Sequence, residues 1–216
     1  MNHQEMNWQQ VQDKFYSDVK KHSHLIYNSE SIYAIDIVRH MINSIGISEN
    51  DTVLEVGAGA GRFTLHLAQH CKKLYALDTS TDLLNILKFN LSENSNINPL
   101  NANVFDISKI FESNSLDTIC GIFILHHLLN HLKLFETIYQ TTKSGGKIGF
   151  LEPNRINPSF LIQVLISSEM KWEAEKGMFT FSIRKTKNIL EQVGFVNIKL
   201  EYFGLFPPVI LDKFKF

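Results

Sequence analysis

Three glycines, separated by single alanines, follow directly on a short apolar segment about a quarter of the way along the chain. The segment Val53–Val56 reads VLEV, the glycine run is Gly57–Gly61, and apolar residues at helical spacing resume over 62–70. A short apolar run that ends in glycine predicts a buried strand, and glycine allows positive φ and close approach of the backbone. The order strand, glycine loop, helix therefore predicts one unit of a parallel sheet.

Strands and helices continue to alternate along the rest of the chain. This alternation predicts an α/β fold with a doubly wound, mostly parallel, Rossmann-like sheet. In such sheets, ligands bind beyond the carboxyl ends of the strands, so we expect the functional residues to follow the strands directly. The predicted strands are Thr52–Val56, Lys73–Leu77, Leu100–Val104, Thr118–Ile124, Lys147–Leu151 and Phe195–Tyr202, and the predicted helices are 30–46, 62–70, one capped at Thr79–Ser80, 132–139 (ended by Gly145-Gly146), 160–172 and Thr186–Val193.

Charge and composition exclude several classes of protein. Among the 216 residues, Lys+Arg 21 and Asp+Glu 22 give a net charge of −1, without the basic excess typical of nucleic-acid binders. Two cysteines, Cys71 and Cys120, cannot build a disulfide framework. No stretch approaches the ~18 apolar residues of a membrane span, and the polar N-terminus lacks a signal-peptide pattern. We expect a cytoplasmic protein with no nucleic-acid partner and no membrane span.

Acidic residues stand where the predicted strands end. Asp78 ends strand two, where a carboxylate can accept hydrogen bonds from both ribose hydroxyls of a nucleotide. Asp106 follows strand three and is placed to meet an adenine amino group, or alternatively to cap a helix. Glu55 precedes the first glycine, and Arg62 stands where a dinucleotide fingerprint carries its last Gly or Ala. These two residues disfavour an NAD-dependent or nucleotide-sugar oxidoreductase.

These motifs together resemble those of class I S-adenosylmethionine-dependent methyltransferases, in the branch that methylates small molecules. The resemblance covers roughly residues 30–203 and implies a seven-stranded sheet of order 3-2-1-4-5-7-6, with the last strand antiparallel. The motifs that carry it, in matching order and spacing, are EVGAGAG at 55–61, LDTS at 77–80, FDI at 105–107, ILHHL at 124–128 and GGKIGFLEPN at 145–154.

The resemblance also implies a cofactor, S-adenosylmethionine with S-adenosylhomocysteine as its product, and no metal. It assigns the methionine part to Glu55 and to the loop of Gly57, Ala58, Gly59 and Gly61, and the ribose hydroxyls to Asp78. It places Thr79 near the adenine, Asp106 and Ile107 on either side of the adenine ring, and Gly121 and Ile122 along the wall after strand four, with the Gly121 carbonyl near the methionine amine.

Two adjacent histidines, His126 and His127, follow strand four. Methyl transfer depends mainly on holding the acceptor in line, but an acceptor that carries a proton needs a base, and histidine titrates near neutrality. We expect His126 and His127 to be candidate catalytic bases. The alternative is that they only order the loop. A metal site with His131 is disfavoured because adjacent histidines diverge and no carboxylate cluster accompanies them.

We expect a single methyltransferase domain with the acceptor enclosed by segments outside its core. Tyr27 in the N-terminal arm, and Glu152 and Asn154 after strand five, are the candidate lid residues that would line the acceptor. The expected parts are an N-terminal helical arm or lid at 1–46, a cofactor-binding core at 47–151, a substrate cap at 152–180, and a final helix with strands at 181–216.

The predicted function is methyl transfer from S-adenosylmethionine to an unidentified small molecule. The Asn/Asp-Pro-Pro-aromatic signature of adenine or glutamine amino-group methylation is absent after strand four, where GIFILHHL stands instead. A catalytically silent S-adenosylmethionine- or S-adenosylhomocysteine-binding protein on the same fold is the alternative, since no residue is assured as catalytic.

The C-terminal residues leave the last strand open. Pro207-Pro208 cannot supply ladder hydrogen bonds where strand seven is expected. Either Val209–Phe216 forms a shortened strand seven, or that strand is missing. In the second case an uncovered sheet edge favours self-association, so we expect a monomer or a weak homodimer through the C-terminal edge.

Overall fold

The chain folds around a parallel sheet with helices on both faces. The computed structural model describes residues 26, 28–93, 95–154 and 182–202, and no helix in these ranges is long and apolar enough to cross a membrane. Short 3-10 helices lie at Ala68–His70, Val104–Lys109 and Leu125–His127. The other elements are α1 Ile32–Ile45, β1 Thr52–Val56, α2 Thr64–Leu67, β2 Lys73–Asp78, α3 Thr81–Phe89, β3 Ile97–Asn101, β4 Leu116–Ile122, α4 His131–Thr141, β5 Thr142–Leu151 and α5 Ile183–Val193.

Five strands form the sheet in the order β3-β2-β1-β4-β5, and every neighbouring pair is parallel. This confirms the predicted α/β class and the first five positions of the expected strand order. Successive residues of β1 alternate between two apolar layers, Val53 on the side of α1 and α3, and Leu54 on the side of α4. Because both faces are covered, the buried part of the strand, Val53–Val56, is apolar except at Glu55.

Side-chain caps set the ends of the helices. The hydroxyls of Ser31, Ser80 and Ser182 accept hydrogen bonds from backbone N–H groups in the first turns of α1, α3 and α5. Gly46 and Gly194 end α1 and α5 in the left-handed conformation, with φ values of 72° and 114°. The predicted cap at Thr79–Ser80 is confirmed, and the predicted ends of the helices 30–46 and Thr186–Val193 agree with these glycine caps.

Several strand boundaries differ from the sequence prediction. The third strand begins at Ile97, not Leu100, and the fourth spans Leu116–Ile122. The Gly145-Gly146 pair does not end a helix but lies inside β5, which begins at Thr142. Gly145 has a φ of 76° at an irregularity in the β4–β5 pairing, and a Cβ on Gly146 would lie 2.9 Å from the Asp117 carbonyl oxygen. The two glycines therefore allow the irregular pairing of β5 with β4, because Gly145 adopts a positive φ and a side chain on Gly146 would not fit.

The predicted sixth strand, Phe195–Tyr202, is wrong. This segment is irregular, and Asn197 interrupts it with a left-handed φ of 55°. Phe195 packs edge-on against the Phe135 and Tyr139 rings. In the expected order this strand would pair with strand seven, whose residues 209–216 lie outside the described residues, as do the predicted helix 160–172 and its aromatic residues.

Replacing Leu87 by alanine is expected to destabilise the fold. Leu87 on α3 is 0% exposed, whereas Phe89 on the same helix is 88% exposed. Loss of a buried leucine costs about 2–5 kcal/mol, and an exposed substitution changes stability by about 0.5 kcal/mol or less. Urea unfolding of Leu87→Ala and of the control Phe89→Ala measures both values, and equal losses in the two variants would contradict this burial pattern.

Candidate functional site

The glycine loop is fixed to the end of the neighbouring strand. The N–H groups of Gly57 and Ala58 both donate to the Leu77 carbonyl, at 2.8 and 3.0 Å. Gly57, Gly59 and Gly61 have positive φ values of 78°, 53° and 90°. A Cβ on Gly57 would lie 2.8 Å from the Ile124 side chain, whereas the nearest atom to a Cβ on Gly59 is 3.9 Å away. The loop is thus tightly packed at its start and has more room at Gly59.

Asp78 meets this loop, as the sequence spacing predicts. Its Oδ2 accepts a hydrogen bond from the Gly59 N–H, and its Oδ1 accepts one from the Ser80 N–H, each at 2.8 Å. The Asn101 side-chain amide donates to the carbonyl oxygens of Asp78 and Thr79, at 3.2 and 2.9 Å, and joins the ends of β2 and β3. A carboxylate has about four acceptor positions, so the geometry of Asp78 is compatible with binding ribose hydroxyls.

Glu55 is a buried acid directly below the loop. Glu55 is only 2% exposed to solvent. Burial raises its pKa to about 7, the Thr64 hydroxyl opposes this rise, and the negative charge of Asp78 adds to it. Glu55 Oε2 and Thr64 Oγ1 are buried atoms that lie close to each other but form no hydrogen bond of ordinary geometry within the part of the chain that the structure describes. Buried acceptors are normally satisfied, so this pair fits a ligand that brings hydrogen-bond donors or positive charge.

Arg62, the departure from the dinucleotide fingerprint, has a packing role. Its guanidinium lies 5.1 Å from the Tyr33 ring centroid and 5.2 Å from that of Phe63, which ties the loop exit to α1. Just before α1, Ile26 forms an antiparallel bridge with Gly61. The predicted lid residue Tyr27 lies outside the described residues, but its neighbour Ile26 lies against the glycine loop.

The exit of β4 forms the opposite wall of the site. Gly121 pairs in register with Val56, directly before the first glycine of the loop. A Cβ on Gly121 would lie 2.7 Å from Ile124 and 2.9 Å from Phe150. Phe123 adopts a φ of 58°, a strained value for a bulky residue. Close packing and strain therefore coincide at this strand end, as they do at many functional sites.

Glu152, predicted to line a lid, instead binds the turn after β4. Its Oε1 accepts hydrogen bonds from the N–H groups of Ile124 and Leu125, at 2.9 and 2.7 Å. Its Oε2 accepts from the N–H of His126 at 3.3 Å and lies 2.6 Å from Nδ1 of the same residue. These contacts do not fit the predicted lid role, because the Glu152 carboxylate points into the protein. Asn154, the other lid candidate described, is partly exposed.

The two candidate catalytic histidines differ in environment. The His126 side chain is 2% exposed and bonded to Glu152, so its contacts are those of a residue that orders the loop. His127 is partly exposed, and its ring centroid lies 3.9 Å from that of His126. His131 Nε2 donates to the Leu125 carbonyl at 2.9 Å. Across the described ranges, no group of three His, Cys, Asp or Glu residues is arranged to hold a metal.

Some of the residues predicted to contact the adenine are accessible at the surface, and others are buried in the core. Thr79 is exposed, and Asp106 pairs with Lys109 at 2.6 Å, an interaction that holds the Asp106 pKa below its usual value. Ile107 is fully buried in the core, so it has no surface for a ring contact and the prediction for it needs correction. Ile122 and Ala58 are likewise buried, which leaves their backbones to line the site.

Thr64 and Phe123 were not identified from the sequence. Thr64 contributes to the site because its buried hydroxyl lies beside the Glu55 carboxyl, and Phe123 contributes through its backbone conformation. Residue type gives no signal for either property. The sequence shows a threonine in the first turn of the helix after the glycine loop, but only the structure shows that it is fully buried next to the site.

Comparison with known sequences finds a family match over part of the chain and relatives whose names give different acceptors. Residues 54–150 match the family described as a methyltransferase domain. The chain is 32% identical over 129 residues to ribosomal RNA small subunit methyltransferase A of Macrococcus caseolyticus, covering 60% of this chain and 40% of that protein. It is 36% identical over 109 residues to phosphoethanolamine N-methyltransferase 3 of Arabidopsis thaliana, covering 48% and 22%. The chain thus spans less than half of either relative.

Solved structures have the same fold. A SAM-dependent methyltransferase from Archaeoglobus fulgidus superposes with a TM-score of 0.61 at 20% identity, covering 79% of this chain and 73% of that one. Phosphoethanolamine N-methyltransferase 1 of Haemonchus contortus, in complex with phosphoethanolamine and S-adenosylhomocysteine, gives a TM-score of 0.58 at 16% identity, covering 70% and 33%. Residues 54–150 therefore match the methyltransferase-domain family, and the described structure has the Rossmann-like fold of these solved methyltransferases.

Ionisation of Glu55 is expected to destabilise the folded protein at higher pH. The folded state keeps a proton that the unfolded chain releases near the ordinary glutamate pKa of 4.5, because the pKa of Glu55 rises to about 7 on folding. The stabilisation is complete below the unfolded pKa and is lost as pH rises through 7, by about 3 kcal/mol in total.

Urea unfolding of the wild type and of Glu55→Gln between pH 5 and pH 8 measures this effect. The free energy of unfolding of the wild type should fall relative to that of Glu55→Gln as pH rises. Glu191→Gln, on the exposed side of α5, is the control and should follow the wild type. Parallel pH curves for the wild type and Glu55→Gln would contradict the raised pKa.

Proposed function

We propose that this protein transfers a methyl group from S-adenosylmethionine to a small-molecule acceptor. The observation that supports the proposal is the contact between the glycine loop and the acid that ends β2. The Asp78 carboxylate is bonded to the Gly59 N–H within a methyltransferase domain. The solved relative that holds S-adenosylhomocysteine supports the same cofactor here.

The residues around the loop suit the parts of this cofactor. Asp78 would accept hydrogen bonds from the ribose hydroxyls, with Thr79 next to it. Glu55 and Thr64 present neighbouring buried oxygens, and these would face the positive charge of the methionine part. The Gly121 carbonyl and the loop from Gly57 would line the same end. Exposed Asp106 remains the proposed contact for the adenine amino group.

The protein's own contribution to the reaction is mainly positioning. When bound, S-adenosylmethionine supplies a methyl group attached to a positively charged sulfur. Holding the acceptor in line with that bond can contribute up to ~7–11 kcal/mol in favourable cases. The Asp78 carboxylate, together with Glu55 once it has lost its proton, makes this end of the sheet favourable for positive charge. His127 is the partly exposed base for an acceptor that must lose a proton.

A small-molecule acceptor is favoured over RNA by the chain's own residues. The net charge is −1, and GIFILHHL after β4 lacks the signature of adenine amino-group methylation. RNA is the second candidate, since one relative is a ribosomal RNA methyltransferase. A relative that is a phosphoethanolamine N-methyltransferase favours a small amine. A silent cofactor-binding protein is the outcome if binding occurs without transfer.

Removal of the Asp78 carboxylate is expected to weaken cofactor binding strongly. Charged hydrogen bonds contribute about 1.5–3 kcal/mol each, so Asp78→Ala should raise the dissociation constant of S-adenosylhomocysteine at least tenfold. Isothermal titration calorimetry measures this change. The control is Asp82→Ala, which removes an exposed acid from the first turn of α3 and should bind like the wild type. No binding by the wild type, or undiminished binding by Asp78→Ala, would refute the cofactor proposal.

Methyl transfer is expected to small molecules and not to RNA. Tritiated S-adenosylmethionine is incubated with the protein and either a deproteinised metabolite extract or purified ribosomal RNA. Label should enter the metabolite fraction. Label in RNA alone would replace the small-molecule proposal with the second candidate, and cofactor binding without label in either fraction would support the silent binding protein.

A further inference from the structure

We propose that Glu152 is a positioning residue that holds the turn Ile124–His126 against the glycine loop and orients the His126 ring. The proposal gives a role to a buried acid that sequence reasoning assigned to a lid. Its meaning for cofactor binding rests on the proposed function, whereas its effect on the His126 ring does not.

The carboxylate of Glu152 joins four hydrogen-bonding groups of one turn. Three are the backbone N–H groups of Ile124, Leu125 and His126, and the fourth is the His126 ring nitrogen Nδ1. The Glu152 side chain is 9% exposed, so water cannot readily replace these partners. An ionised carboxylate has two oxygens and about four acceptor positions, which matches this set of donors. An amide has only one acceptor oxygen and cannot satisfy all four.

The turn that Glu152 holds is in contact with the glycine loop. The Ile124 side chain lies where a Cβ on Gly57 or on Gly121 would come within 2.8 or 2.7 Å of it. A displacement of Ile124 would therefore change the packing at the first glycine of the loop. In this way Glu152, directly after β5, acts through Ile124 on the wall that stands opposite the loop.

Backbone strain next to Ile124 requires such a restraint. Phe123 has a φ of 58° and donates its N–H to the Leu151 carbonyl at 2.7 Å. A strained conformation of this kind persists only where surrounding contacts hold it. Leu151 and Glu152 are consecutive, so the end of β5 holds the β4 exit from Phe123 to His126 through adjacent residues.

The same carboxylate sets the protonation of the His126 ring. Oε2 of ionised Glu152 can only accept, so Nδ1 at 2.6 Å carries a proton whether the ring is neutral or charged. In the neutral ring, Nε2 is then the acceptor nitrogen. The His127 ring, with its centroid 3.9 Å away, packs on a ring whose orientation Glu152 fixes. Glu152 thus acts through His126 on the candidate base.

Glu152→Gln, with Asp117→Asn as its matched control, tests the proposal. Asp117 also accepts a backbone N–H, from Thr52 at 2.9 Å, and pairs with Lys143, but it lies at the amino-terminal edge of the sheet. Isothermal titration measures the affinity for S-adenosylhomocysteine. ¹⁵N NMR of the imidazole nitrogens reports which ring nitrogen of His126 carries the proton.

We expect Glu152→Gln to weaken S-adenosylhomocysteine binding about tenfold and to move the neutral-ring proton of His126 from Nδ1 to Nε2. Asp117→Asn should stay within about twofold of the wild type and leave the proton on Nδ1. Equal affinities in the two variants, or a proton that remains on Nδ1 in Glu152→Gln, would overturn the proposal.

Two further results are distinguishable from these. If the wild type does not bind S-adenosylhomocysteine, the proposed function fails, and the NMR comparison alone then decides whether Glu152 orients His126. If Glu152→Gln does not fold, Glu152→Asp takes its place, because an acid one methylene shorter cannot reach all four groups. Binding by Glu152→Asp equal to that of the wild type would overturn the proposal.

Discussion

The Leu77 carbonyl, which accepts hydrogen bonds from both Gly57 and Ala58, is the interaction on which the site depends. It turns the chain sharply at the end of β1 and holds the glycine loop over the end of β2. Because Asp78 follows Leu77 directly, the same turn brings its carboxylate to the Gly59 N–H. Ile124 can then pack against Gly57, so the loop, the acid and the β4 exit form one assembly.

Three acids at this edge of the sheet have different environments, and these environments give them different properties. Glu152 is satisfied by backbone N–H groups and a histidine, and therefore stabilises a turn. Asp78 bonds to two N–H groups on a partly open surface. Glu55 is buried beside the Thr64 hydroxyl, and burial raises its pKa to about 7. A carboxylate's role here depends on its hydrogen-bond donors and its exposure more than on its residue type.

Local sequence patterns predicted the fold well where a feature depends only on residues that are close together in the chain. The first strand, its glycine loop, the Ser80 cap and the end of the last helix at Val193 depend on short-range geometry, and the structure agrees with all of them. Predictions failed where distant contacts decide. The apolar alternation of Phe195–Tyr202 resembles a strand, but Asn197 turns the chain and Phe195 packs on α4.

The sequence by itself determined the parallel α/β order, the glycine loop and the acid that follows β2, because periodicity and glycine act locally. Only the tertiary structure decided that Ile107 is buried, that Glu152 faces a turn and that His126 is enclosed beside a partly exposed His127. These properties depend on which segments meet at the carboxyl edge of the sheet. Burial and hydrogen-bond partners at that edge come from residues far apart in the chain, so no local pattern carries them.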